Sequence, residues 1–192
     1  MTDTSEPADA TILVVDDEKT VADTYAHRLQ HEYRMETAYG GKAALDILAE
    51  TDVDVVLLDR RMPDMTGDDV LREIRERGYD CQVLMVTAVD PDFETLDMPF
   101  DDYLCKPIKQ ELLLGAVEQQ LRIRALERLG EYCRLLAKLE VVAASTTADE
   151  LADNDRYQQL VAQREAIEAE LAGHTDILDD LAAAVAELDR EP

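Results

Sequence analysis

DVVLLDRRMPDMTG (residues 54–67) is the stretch on which the fold turns. Four consecutive apolar residues, Val55 to Leu58, stand between two aspartates. So short and unbroken an aliphatic run reads as a strand buried on both faces, the kind found in parallel sheets flanked by helices. The strand ends on Asp59, and a loop carrying Pro63 and Gly67 follows before a helical stretch from Asp68 to Arg77.

The same grammar repeats on either side. Upstream, TILVV (11–15) is a second buried-strand run ending on Asp16 and Asp17; Val21, Tyr25 and Leu29 then fall at helical spacing. YRMETA (33–38) alternates as a strand, and GGKAALDILAE (40–50) reads as a helix. Downstream, CQVLMVT (81–87) is a fourth strand. The segment from Ala88 to Phe100 carries Pro91 and Pro99 and leaves room only for a short helix about Phe93 to Asp97. DDYLCKP (101–107) supplies a fifth strand ending near Lys106, and a helix begins at Lys109. Five strands alternating with helices predict an α/β fold, an open parallel sheet covered on both faces.

In such a sheet ligands bind beyond the carboxyl ends of the strands. Asp16, Asp17, Asp59, Thr87 and Lys106 occupy those ends, so they are expected to converge on one edge. Three neighbouring carboxylates repel one another, and a hard divalent cation such as Mg²⁺ relieves this with few protein ligands. A lysine and a hydroxyl facing the same cluster suit an added anion, of which a phosphoryl group is the natural candidate.

Together VVDDE (14–18), LLDRRMPDMTG (57–67), MVTA (85–88) and DDYLCKP (101–107) resemble the response-regulator receiver domain, in order and at suitable separations. The resemblance implies a flavodoxin-like five-stranded sheet with Asp59 as phosphoacceptor. It further implies that Asp16, Asp17 and Asp59, with the backbone carbonyl of Arg61, hold Mg²⁺, and that Lys106 and Thr87 bind phosphoryl oxygens. Tyr103 becomes the aromatic switch, Lys106–Pro107 a cis peptide bond, and a sensor histidine kinase the phosphodonor partner. The side chains of Arg60 and Arg61 are left between two readings, pairing with the phosphoryl group or lying in solvent. A haloacid-dehalogenase-like phosphatase would need an aspartate where Arg61 stands, so a multiple-turnover enzyme is not expected.

Beyond the fifth strand the helix runs without a proline as far as Ala144, through Leu114, Val117, Leu121, Ala125, Leu129, Tyr132, Leu136, Leu139 and Val142 near one face. Ser145 to Thr147 form a polar turn, and Thr147 with Glu150 makes a capping box that starts another helix. In it Tyr157, Leu160, Arg164, Ile167, Leu171, His174, Leu178, Leu181, Val185 and Leu188 alternate steps of three and four, a heptad seam. These arms predict an antiparallel helical hairpin with coiled-coil packing that buries too little alone and is completed by homodimerisation or a docked partner. EYCRLLAKLEVVAA (131–144), TADEL (147–151) and DRYQQLVAQREAIEAEL (155–171) resemble the HalX domain of haloarchaeal regulators, which implies a role in transcription. The expected organisation is a polar leader (1–10), a receiver (11–120) and a hairpin output or dimerisation domain (121–192).

Composition sets the surroundings. The formal net charge is -25, from 19 basic and 44 acidic residues, and both halves of the chain are acidic. Such a surface repels itself and DNA until salt shortens the Debye length, to about 3 Å at 1 M, so a halophilic cytoplasm is expected. Direct DNA contact is not favoured by charge; an adaptor or relay that docks a protein partner is the alternative output. Cys81, Cys105 and Cys133 have no metal-site or disulfide spacing, and no apolar run approaches a membrane span.

Overall fold

The computed structural model describes residues 8–88, 91 and 93–172. Internal contacts divide the chain into two compact units, Met1–Leu121 and Arg122–Pro192. In the first, strands β1 (Ala8–Val15), β2 (Tyr33–Ala38), β3 (Val55–Leu58), β4 (Gln82–Thr87) and β5 (Asp102–Cys105) form one sheet. Every pairing is parallel, in the order β2-β1-β3-β4-β5. The connecting helices are α1 (Lys19–Leu29), α2 (Gly41–Glu50), α3 (Gly67–Arg77) and the start of α4 (Gln110–Ala143). Each expected strand and helix is present.

The unbroken apolar runs are what bury the sheet. Every residue of β3 and β4 is buried, as a strand covered on both faces requires. On one face Leu13, Val15, Val56, Leu58, Val83 and Met85 pack against α2 and α3 through Leu45, Leu48, Val70 and Ile74. The apolar spacing of α1 holds with a small rotation: Ala22, Tyr25 and Leu29 are buried and Val21 only partly.

Between β4 and β5 the expected short helix is a 3-10 helix, Phe93–Asp97, as the two flanking prolines leave no length for more. Two local features depart from the sequence reading. Strand β1 starts at Ala8 rather than Thr11, because a bulge between those residues lets Ala8 pair with Tyr33 ahead of the regular register. The second arm of the hairpin is interrupted: α5 (Ala148–Ala152) stops at Asp153 and α6 (Asp155–Ala172) restarts behind Asn154, whose side chain accepts the Tyr157 N–H at 2.9 Å. Short polar side chains that bond nearby backbone favour such a restart over a continuous helix.

The second unit is an antiparallel hairpin in which α6 runs back along α4. Arg128 pairs with Glu170 at 3.2 Å, Gln163 reaches Glu131 at 2.7 Å, and Leu135, Ile167 and Leu171 form a buried cluster with Leu129, Tyr132 and Leu160 around it. Leu135 is buried and Leu136 partly so, one position off the expected face. Arg164 is partly buried and pairs with Glu165 at 3.1 Å. Thr147 and Glu150 form the expected capping box, the carboxylate accepting from the Thr147 hydroxyl at 2.7 Å. The seam positions from His174 onward lie outside the described residues.

Helix α3 begins where the loop after β3 ends. Thr66 caps it reciprocally with Asp69, and the Gly67 N–H donates to the Arg60 carbonyl at 2.9 Å. A Cβ on Gly67 would sit 2.2 Å from the Asp59 carbonyl oxygen and 2.8 Å from the Arg60 Cα, backbone that cannot step aside alone. Gly67→Ala should therefore destabilise the protein by roughly 1–3 kcal/mol, the usual range for overpacking, read from urea midpoints at fixed salt. An unchanged midpoint would mean that the loop is free to move.

Candidate functional site

Each strand delivers its polar residue by continuing the ladder one step. The Asp16 N–H donates to the Ala38 carbonyl at 3.1 Å, the Asp59 N–H to Val15 at 2.9 Å, and the Lys106 N–H to Thr87 at 2.8 Å. These bonds hold Asp16, Asp59, Thr87 and Lys106 at the carboxyl ends of β1, β3, β4 and β5. The order reversal between β1 and β3 falls at the two aspartates, the place where open α/β sheets form their crevice.

The side chains of three of them meet. Lys106 Nζ donates to Asp16 Oδ2 at 2.6 Å and to Asp59 Oδ1 at 2.7 Å, spanning the sheet from β5 to β1. Asp59 is 7 % exposed and Asp16 3 %. The remaining oxygens are also engaged: Asp59 Oδ2 accepts the Arg61 N–H at 2.8 Å, and Asp16 Oδ1 accepts the Glu18 N–H at 2.9 Å. Asp17 lies beside them, partly exposed, and Thr87 is buried. The Arg61 side chain is exposed, whereas Arg60 turns into the protein and binds Asp68 through Nε at 3.1 Å. The Lys106–Pro107 peptide bond is cis, as expected. Tyr103 packs against Phe100, ring centroids 5.6 Å apart.

One ammonium serves two carboxylates. Burial pushes the Asp59 carboxyl above its ordinary range; Lys106 opposes this, and Asp16 reinforces it. For Lys106 burial acts downward, but bonds to Asp16 and Asp59 prevail and hold the ammonium's pKa up. The two directions agree with the geometry, since the lysine has two anionic partners and Asp59 has one cation and one anion. With Asp17 adjacent, the edge carries more negative than positive charge, a donor set of oxygens that fits a hard divalent cation. Among the described residues no three acidic, histidine or cysteine side chains close around a single point. An ion that keeps several waters, as Mg²⁺ does, needs fewer protein ligands than that.

Sequence reading missed four features of this edge. Gly67 was visible in the motif, but the close approach that demands it was not. Asp64 has φ +66°, and the Met65 N–H donates to the Pro63 carbonyl at 2.7 Å, a γ-turn inside the loop after Asp59. Arg28 donates to the Ile108 carbonyl at 2.9 Å and ties α1 to the chain just past Pro107. Arg60 has a partner on α3, Asp68, that no local pattern announces.

A raised carboxyl pKa means that the folded state binds the proton more tightly than the unfolded one. Ionised Asp59 thus opposes folding above its folded pKa, and the opposition fades as pH falls through it. Asp59→Asn is expected to raise the thermal midpoint of the metal-free protein by roughly 2–4 °C at neutral pH, with the gap to wild type narrowing on acidification. Scanning calorimetry in chelator checks this, and a lower midpoint for the variant would contradict it.

Comparison with known proteins places this edge. Residues 12–118 match the response regulator receiver domain, and residues 122–189 match the HalX domain. A Haloferax volcanii protein provisionally named a transcriptional regulator is 46% identical over 164 residues, 85% of this chain; the chain spans only 28% of that relative's length. A CheY-like receiver domain protein from Methanospirillum hungatei superposes with a TM-score of 0.59 at 26% identity, covering 62% of this chain and 98% of that one. The response regulator TrrA of Thermotoga maritima, solved with Mg²⁺ and beryllofluoride, gives a TM-score of 0.53 at 31% identity over 58% and 98% of the two chains. The chain belongs to the response-regulator receiver family, its receiver domain followed by a HalX domain.

Proposed function

We propose that Asp59 accepts a phosphoryl group from a sensor histidine kinase and that the resulting change is passed to the helical output. The observation that carries this reading is the shared ammonium: Lys106 lies within hydrogen-bond reach of Asp59, where a cation is needed for the equatorial oxygens of a transferring phosphoryl group. An Asp59 carboxylate oxygen forms the new bond to phosphorus as the donor's phosphorus–nitrogen bond breaks. Lys106 and Thr87 receive phosphoryl oxygens, and Tyr103 follows Thr87 inward. Asp16, Asp17, Asp59 and the Arg61 carbonyl would hold Mg²⁺, which supplies charge neutralisation between the acceptor and the incoming group. The receiver would also promote its own dephosphorylation, as a signalling element rather than a multiple-turnover enzyme.

For the output we favour transcriptional regulation in a salt-rich cytoplasm, supported by the HalX match and the regulator name of the haloarchaeal relative. No helix among the described residues is long and apolar enough to cross a membrane. Homodimerisation through the C-terminal helices is supported by an apolar cleft of about 520 Å³ at the turn end of the hairpin, lined by Leu139, Val141, Val142, Tyr157 and Leu160 among others. The net charge of -25 favours a second reading, an adaptor or relay that docks a protein and does not touch DNA.

With Mg²⁺ and a small acyl-phosphate donor in molar KCl, wild type should take up one phosphoryl group and Asp59→Asn none. Equal labelling of the variant would show that the acceptor lies elsewhere. Promoter binding under the same salt, with and without beryllofluoride, separates the outputs, and no binding in either state would leave the adaptor. Val142→Glu should convert a dimer to a monomer in analytical ultracentrifugation; an unaltered mass would place the contact elsewhere.

A further inference from the structure

Lys106 reaches the two carboxylates from the end of an edge strand. β5 is four residues long and pairs on one side only, with β4. Beyond the bond from the Lys106 N–H to Thr87, Pro107 has no N–H to give. Among the described residues the next backbone bond is that of the Leu113 N–H to the Lys109 carbonyl, at 3.0 Å. The sheet ladder therefore stops at the residue whose side chain must be held in place. Arg28 takes over from α1, donating to the Ile108 carbonyl at 2.9 Å across 80 positions in sequence. Its guanidinium lies over the ring of buried Tyr25, 5.6 Å from the centroid. A planar cation can rest on an aromatic face and still aim an N–H at an acceptor. The chain has 44 acidic residues, yet Arg28 pairs with no described carboxylate; its partners are a ring and a carbonyl. The Ile108 side chain is buried, so packing seats that residue and the Arg28 bond fixes the direction of its carbonyl.

We propose that Arg28 is a positioning residue for Lys106: by holding the Ile108 carbonyl against α1 it fixes the backbone from which the ammonium serves the acceptor. The inference rests on the reading of Asp59 as acceptor. Helix α1 starts just past Asp16 and Asp17, so two contacts close a ring between this part of the chain and the end of β5. One is the Lys106 ammonium on Asp16 at 2.6 Å, and the other is Arg28 on Ile108. In phosphoryl transfer Lys106 gives up a carboxylate oxygen to take a phosphoryl oxygen, which opens the first contact. The second involves no reacting atom and persists while the lysine changes partner. A cation carried on a backbone already in place needs no reorganisation as charge develops on the transferring group. Arg28 itself touches no reacting atom and acts through Lys106.

The test uses the full chain in molar KCl. In protein carrying isotope-labelled lysine, the Lys106 Nζ resonance is identified by its loss in Lys106→Met. In ligand-free Arg28→Met it should move toward the position of solvent-exposed lysines. With Mg²⁺ and beryllofluoride, the acyl-phosphate mimic, titrated by calorimetry, Arg28→Met should bind about tenfold more weakly, the scale of one lost hydrogen bond. Arg28→Lys keeps a donor for the carbonyl, so its affinity should lie closer to wild type than to Arg28→Met. It also reads the same bond should Arg28→Met unsettle the fold. A role confined to stability would lower the urea midpoint of Arg28→Met and leave resonance and affinity unmoved. Either one staying at its wild-type value overturns the positioning role, and so does an Arg28→Lys affinity no better than that of Arg28→Met. Failure of wild type to bind beryllofluoride at all would overturn the acceptor reading instead, and the ligand-free Lys106 resonance would still decide whether Arg28 holds the lysine.

Discussion

The Lys106 ammonium between Asp16 and Asp59 is the contact on which the rest of the receiver depends. It joins residues separated by 90 and 47 positions in sequence and bridges three of the five strands at their carboxyl ends. Two buried carboxylates side by side would repel strongly in a medium of low dielectric, and without a cation one of them would have to take a proton. Burial, with Asp16 adding to it, holds the Asp59 carboxyl above its ordinary range against the opposing pull of Lys106. The residual negative charge suits the edge to a hard divalent cation.

The scaffold around this contact serves to hold it still. Buried strands β3 and β4 give Asp59 and Thr87 rigid bases. The loop after Asp59 is drawn tight by the Gly67–Arg60 backbone bond, the γ-turn at Asp64 and the reciprocal cap between Thr66 and Asp69. Arg28 fixes the chain after Pro107 from the opposite side. Local rules that favour a helix start, a tight turn and a buried strand all agree here, which is the consistency expected of a well-specified site.

Much of this was legible in the residues. Strand identity came from the aliphatic runs, and the strand-end aspartates, Thr87 and Lys106 followed from sheet geometry, because a parallel sheet has one functional edge. What could not be read was longer in range or finer in scale. No periodicity tells that Arg60 reaches Asp68 rather than solvent. The break at Asp153 and Asn154 falls between the Thr147–Glu150 cap and the seam that begins at Tyr157, and apolar spacing reports the buried face and not the continuity of backbone hydrogen bonds. The one-position difference between Leu135 and Leu136 reflects how two helices settle against each other, which neither sequence specifies alone.

The central claim is that the carboxylate held by Lys106 at the end of β3 is the one that forms an acyl phosphate. Phosphorylating the protein with an acyl-phosphate donor and Mg²⁺, reducing it with borohydride and mapping the peptides by mass spectrometry reads that claim at one residue. Conversion of Asp59 to homoserine, with Asp16 and Asp17 unchanged, is the result the account predicts. Homoserine at Asp16 or Asp17, or at no aspartate of this edge, would contradict it.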